Sequence, residues 1–88
     1  MNTPEKALKV EEKLMELISY NRKISVLLDS YGQNFIVWSI APLKKKNWNR
    51  GFITWCELLG QQIALQLDFY CSPAVLTFEG FIKLTFNF

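Results

Sequence analysis

The sequence predicts an α+β fold, in which an N-terminal amphipathic helix packs on an antiparallel sheet of four or five strands. Two observations support this prediction. Apolar residues recur at helical spacing near the N-terminus, whereas from residue 34 onward short apolar runs are separated by turn residues. A meander, flat or curved, is the simplest arrangement of such strands. We expect residues 1–88 to form a single domain, because a chain of this length is too short for two.

The predicted helix covers residues 3–20. Thr3 is a favourable N-cap, and Pro4 suits the first helical position, where the missing N–H costs nothing. An apolar stripe then follows at three- and four-residue spacing, with charged residues on the other side. The stripe consists of Ala7, Val10, Leu14, Leu17 and Ile18, and it is widened by Leu8 and Met15.

Residues 22–29 have two interpretations. They form either a strand that ends near Gly32, or a continuation of the helix in which Asn21 occupies one core position of a heptad pattern. Length favours the strand, because a seventeen-residue helix is about 25 Å long and matches a seven-residue strand of about 23 Å. The sequence leaves both interpretations open.

The remaining strands follow from apolar patterning. Residues 34–40 are apolar on both faces, which is typical of a central strand. Residues 62–70 alternate most regularly, and we expect them to form a hairpin with residues 52–59 around Gly60. Residues 75–78 and 81–88 complete the sheet, and Glu79-Gly80 between them is either a tight turn or a bulge.

Catalysis lacks its usual groups. The chain has no histidine, which excludes Ser-His and Cys-His pairs and removes the commonest zinc ligand. The predicted hairpin separates Cys56 from Cys71 by roughly 20 Å, beyond the reach of a disulfide. Glu57 and Asp68, which the hairpin makes neighbours, are interpreted as solvated charges. We therefore expect no enzymatic activity, no cofactor and no bound metal.

An apolar surplus predicts a protein interface. A single helix covers one face of a sheet, yet large apolar residues occur on both faces of the predicted strands, and such patches commonly mark an interface. We expect a small regulator, inhibitor or adaptor that binds a protein partner and forms a homodimer. The predicted contact residues are Trp38, Ile53, Trp55 and Tyr70.

A basic loop lies beside this surface in the predicted fold. Residues 23–50 carry five basic residues and one acidic residue, and four of the cations surround a tryptophan. Three interpretations apply: contact with an acidic protein partner at the rim of the interface, binding of single-stranded nucleic acid, or a solvated hairpin loop. Protein contact is favoured over nucleic acid, because the net charge of the chain is only +2. The loop residues are Lys44, Lys45, Lys46, Trp48 and Arg50.

Location and small ligands follow from composition. No apolar run reaches the length of about twenty residues that a membrane span requires, and the N-terminus lacks the apolar core of a secretory signal. We therefore expect a cytoplasmic protein that does not enter the membrane. A pocket for a small apolar ligand is not favoured, because the aromatic rings are needed in the core.

Overall fold

The computed structural model describes residues 3–18, 23–44 and 48–88. Within them the chain forms two helices and five strands that enclose a single layer of apolar side chains. Neither helix is long and apolar enough to cross a membrane. The elements are α1 (Thr3–Ile18), β1 (Ile24–Tyr31), β2 (Phe35–Pro42), α2 (Arg50–Leu67), β3 (Tyr70–Cys71), β4 (Val75–Leu76) and β5 (Ile82–Asn87).

All strand pairs are antiparallel, and the sheet has the order β1-β2-β5-β3, with β4 also paired to β5. β3 and β4 lie end to end along one edge of β5, separated by a segment that contains Pro73, which has no N–H for the ladder. α2 therefore crosses from β2 to β3 over the intervening β5, as in a split β-α-β unit. The predicted α+β class is confirmed, but the strand order is not a meander.

The N-terminal half follows the sequence pattern. The apolar stripe of α1 faces inward, with Val10, Leu14 and Ile18 buried. Residues 24–31 form β1, so the helical continuation with a heptad seam is wrong; Asn21 itself lies outside the described residues. β2 pairs with β1 on one side and β5 on the other, which confirms a central strand.

The predicted hairpin of residues 52–59 and 62–70 is wrong, because α2 occupies this part of the chain. Asn49 caps the helix, and its side-chain oxygen accepts the N–H of Phe52 at 2.9 Å. Asp68 ends it in the left-handed conformation, with φ 58°, and donates its N–H to the carbonyl of Ala64. Leu65 is 84% exposed, so an apolar residue on the solvent side of α2 produced the apparent two-residue alternation.

Both helices cover the same face of the sheet. The central strands supply three cross-strand pairs to that face, and all six side chains are buried. α1 packs on β2, α2 packs on β5 and β3, and the two helices contact each other. On the opposite face β5 carries Lys83, Thr85 and Asn87, and Lys83 lies 3.4 Å from Asp29 of β1. The buried pairs are Ile36 with Phe86, Trp38 with Leu84 and Ile40 with Ile82.

Glu79-Gly80 forms a tight turn and not a bulge. Thr77 donates its N–H to the carbonyl of Phe81 at 2.9 Å, and Gly80 donates to the carbonyl of Thr77 at 3.1 Å. Gly80 has φ 87°, a conformation that residues with a Cβ rarely adopt. The turn joins β4 to β5 as a hairpin and places Phe78 at its tip.

Candidate protein-binding site

A shallow recess of about 460 Å³ lies where the N-terminus of α2 meets the β4–β5 turn. Two elements distant in sequence build it: the start of α2 supplies one wall and the hairpin supplies the other. We call it the Trp48 recess. Its lining residues are Trp48, Asn49, Arg50, Ile53, Leu76, Thr77 and Gly80.

Trp48 is held in the recess by contacts on two sides. Its ring meets Phe52 edge-on, with 5.2 Å between the ring centroids. Gly80 approaches from the turn so closely that a Cβ on that glycine would lie 3.8 Å from the indole nitrogen of Trp48. Trp48 is therefore half-buried and folded back on the protein, while the rest of its ring lines the recess.

Apolar side chains continue beyond the recess onto the hairpin. Phe78 is fully exposed, and Leu76 is 54% exposed. Covering a phenylalanine side chain contributes about 1.5–3 kcal/mol, and Phe78 obtains none of this within the chain. Leu76 lines the recess and Phe78 lies two residues further on at the tip of the turn, so apolar side chains are exposed at both places.

The charge at this surface is mainly positive. Arg50 lines the recess, and the first turn of α2 contains no acidic residue to offset the positive end of the helix dipole. Lys44 is exposed and leaves the sheet at the same end, since Ile40 of β2 pairs with Ile82 at the start of β5. Glu79 is the acidic residue of the turn. The arrangement favours a partner with acidic groups beside an apolar segment.

The four residues predicted as an interface do not lie together. Trp38 is 5% exposed, inside the core, and its indole nitrogen has no hydrogen-bond partner among the described residues. Trp55 is half-buried on α2, with its ring centroid 6.0 Å from that of Phe52. Tyr70 is 64% exposed on β3, beside the C-terminal end of α2. Ile53 is the only one of the four that lines the Trp48 recess.

The basic loop is brought to the recess in part. Trp48 and Arg50 line it, and Lys44 lies at the same end of the sheet; Lys45 and Lys46 lie outside the described residues. The sequence interpretation missed Phe78. The sequence did contain a local indication of its exposure, because Phe78 directly precedes the turn dipeptide Glu79-Gly80 and residues beside a turn are expected at the surface.

A second groove, of about 460 Å³, lies between α2 and β3 and is lined by Glu57, Tyr70 and Cys71 among others. Burial raises the pKa of the Cys71 thiol to about 11. Burial, together with the charge of Glu57, raises the pKa of the Cys56 thiol to about 12. Both thiols are therefore protonated at neutral pH and are poor nucleophiles.

Two sequence predictions about this region fail with the hairpin. The separation of roughly 20 Å between Cys56 and Cys71 assumed extended strands. Instead, Gly60 lies one helical turn beyond Cys56, and a Cβ on that glycine would lie 2.7 Å from the sulfur of Cys71. Glu57 and Asp68 are eleven residues apart along α2, about 16 Å, so they are not the neighbours that the hairpin implied, although both are exposed.

Comparison with protein-family models, with curated proteins and with solved structures finds no match to this chain.

Proposed function

We propose that this chain is a non-enzymatic protein-binding module that receives an apolar, acidic segment of a partner protein at the Trp48 recess. The observation that carries the proposal is the fully exposed Phe78 beside an apolar recess. Such a module acts as a regulator, inhibitor or adaptor, since binding alone supplies its effect. Both cysteines are free thiols, which suits a reducing compartment, so we place the module in the cytoplasm.

Aromatic anchors supply most of the binding energy in this proposal. Phe78 inserts into the partner, while Ile53 and Leu76 receive an apolar side chain from it. Interfaces of this kind concentrate their affinity in a few aromatic and arginine residues, and Trp48 and Arg50 meet that description. The remaining contacts exclude water around them.

Selection of displayed random peptides against the full chain tests the proposal. We expect the enriched peptides to combine aromatic or aliphatic residues with Asp or Glu. Phe78→Ser and Ile53→Asp should each weaken binding of a synthetic copy at least tenfold, about 1.4 kcal/mol. Tyr70→Ser is the matched control, because it removes an equally accessible aromatic residue from the opposite end of α2. Equal losses in the control and in Phe78→Ser would contradict the proposed site.

Single-stranded nucleic acid is the second candidate partner. Arg50 and the uncompensated N-terminus of α2 lie beside the partly exposed ring of Trp48, and the exposed Lys44 lies at the same end of the sheet, which is the observation that favours it. Oligothymidylate should then bind in low salt, and each phosphate contact should add about 0.7 to the slope of log affinity against log salt. Lys44→Ala combined with Arg50→Ala should lower that slope. If the affinity for oligothymidylate and its salt dependence are unchanged in the double variant, the recess is not a nucleic-acid site.

A further inference from the structure

β1 offers an open edge of the sheet. Among the described residues only β2 pairs with it. The N–H of Leu43 donates to the carbonyl of Lys23 at 2.7 Å, so alternation directs the main-chain groups of Ile24, Val26 and Leu28 away from β2. An unpaired row of this kind is a template for another strand.

Apolar side chains accompany the open edge. On the helix side, Leu28 is 44% exposed, beyond the cover that α1 provides. The Nζ of Lys6 lies 4.1 Å from the centroid of the Phe88 ring, so that side of α1 is directed toward the end of β5. Leu8 and Met15 project from the opposite side of α1 and are 55% and 45% exposed. Because α1 contacts β2 and α2 covers β5 and β3, this is the side of α1 nearer to β1.

The charges of β1 select its own copy as the partner. Lys23 precedes the strand, and Asp29 follows the outward-facing residues on the opposite face of the sheet, where it also lies 3.4 Å from Lys83 of its own chain. If two β1 strands pair antiparallel about a two-fold axis at Val26, each Lys23 lies opposite Asp29 of the second copy. In the same register, the outward main-chain groups of Ile24 form hydrogen bonds with those of Leu28 in the second copy. Those of Val26 form hydrogen bonds with Val26 of the second copy. The bulge between Leu28 and Ser30 ends the pairing at that point.

We propose that two copies of this chain associate through antiparallel pairing of β1 with β1, centred on Val26, which extends the sheet across the dimer. Leu8 and Met15 of the two α1 helices then flank the junction on its helix side. β1 contributes no residue to the lining of the Trp48 recess, so different substitutions test the dimer and the partner site.

Sedimentation equilibrium of the full chain, from about 1 to about 300 μM, tests the dimer, because small interfaces give weak association and this range covers micromolar dissociation constants. Val26→Pro removes an N–H that points away from β2, so it spares the β1–β2 ladder and should raise the dissociation constant at least tenfold. Phe78→Ser is the control and should leave the dimer intact, which separates this test from that of the recess.

A charge exchange tests the register. Lys23→Glu should weaken the dimer by placing like charges opposite each other. Adding Asp29→Lys should restore only part of the affinity, because that substitution also places a lysine beside Lys83 of its own chain. These variants also decide the matter if circular dichroism shows that Val26→Pro does not fold. A chain that stays monomeric over the whole range would overturn the proposal and leave the edge to a foreign strand. A dimer insensitive to both Val26→Pro and the charge exchange would overturn it as well.

Discussion

Replacement of Gly60 by alanine tests the packing of α2 on the sheet. In an isolated helix, alanine is more favourable than glycine by about 0.8–1.0 kcal/mol. In this fold the added methyl group would lie 2.7 Å from the sulfur of Cys71 and 3.4 Å from a methyl carbon of Leu84. Helix propensity and packing therefore act in opposite directions at one position.

The packing effect is the larger of the two. Ordinary carbon contacts lie at about 3.5–4.0 Å, so the sulfur of Cys71 and the helix must separate by about 1 Å. Excess volume in a packed core costs about 1–3 kcal/mol. After the gain in helix propensity, Gly60→Ala should lower the free energy of unfolding by about 1 kcal/mol. For a domain of this size, that is a decrease in Tm of about 4–8 °C.

Chemical denaturation of four variants measures the effect as a double-mutant cycle. Cys71→Ala removes the sulfur, so Gly60→Ala should become neutral or stabilising in that background, with a coupling of about 2 kcal/mol between the sites. If Gly60→Ala stabilises the parent chain, or if the coupling is absent, then α2 does not pack on β3 as described. A turn at Gly60, as the sequence pattern predicted, would show no such coupling.

Three further substitutions separate helix from hairpin and core from surface. Asn49→Ala should reduce stability by about 1 kcal/mol through loss of the cap on Phe52, whereas Asn34→Ala, another exposed asparagine, should change the denaturation midpoint little. Leu65→Gln should change stability by less than about 0.5 kcal/mol because Leu65 is exposed, and a cost of several kcal/mol would restore the predicted hairpin. The Cys56 thiol has its pKa raised from 9.0 to about 12 in the folded chain. Above pH 9 the thiol loses its proton more readily in the unfolded chain, so the free energy of unfolding should fall as pH rises from 9 toward 12. Cys56→Ala should make this decline shallower by at most about 1.4 kcal/mol per pH unit, measured by urea denaturation.

Most of the N-terminal half of the fold was predictable from its apolar patterns, although residues 22–29 fitted both a strand and a helix until their length was considered. The stripe of α1 has a single periodicity, and β1 and β2 are short apolar runs bounded by turn residues. The helix α2 was not predicted, because Ile63, Leu65 and Leu67 alternate with polar or small residues as in a strand. Of these three side chains only Ile63 is buried. Leu65, on the solvent side, imitates a strand.

A helical signal was nevertheless present in residues 49–67. Asn49 is a favourable N-cap, and after it apolar residues recur every three or four positions. Two glycines within the segment reduce its helix propensity, and one of them is required by the close approach of Cys71. Local propensity thus pointed away from a helix for a reason that lies in the tertiary contact. The helical recurrence runs through Phe52, Cys56, Leu59, Ile63 and Leu67.

Whether a group of predicted site residues lies together in the structure depends on whether the prediction used the wrong hairpin. Trp48, Arg50 and Ile53 are neighbours along the chain, so they lie on one surface whether the following segment is a strand or a helix. The grouping of Trp38 with Trp55 and Tyr70 depended on cross-strand geometry, and it was lost when α2 replaced the hairpin. Phe78 depends only on the turn at Glu79-Gly80, a signal that is local. A site formed by sequence neighbours and turns can therefore be predicted without the correct topology, whereas a site formed across a sheet cannot.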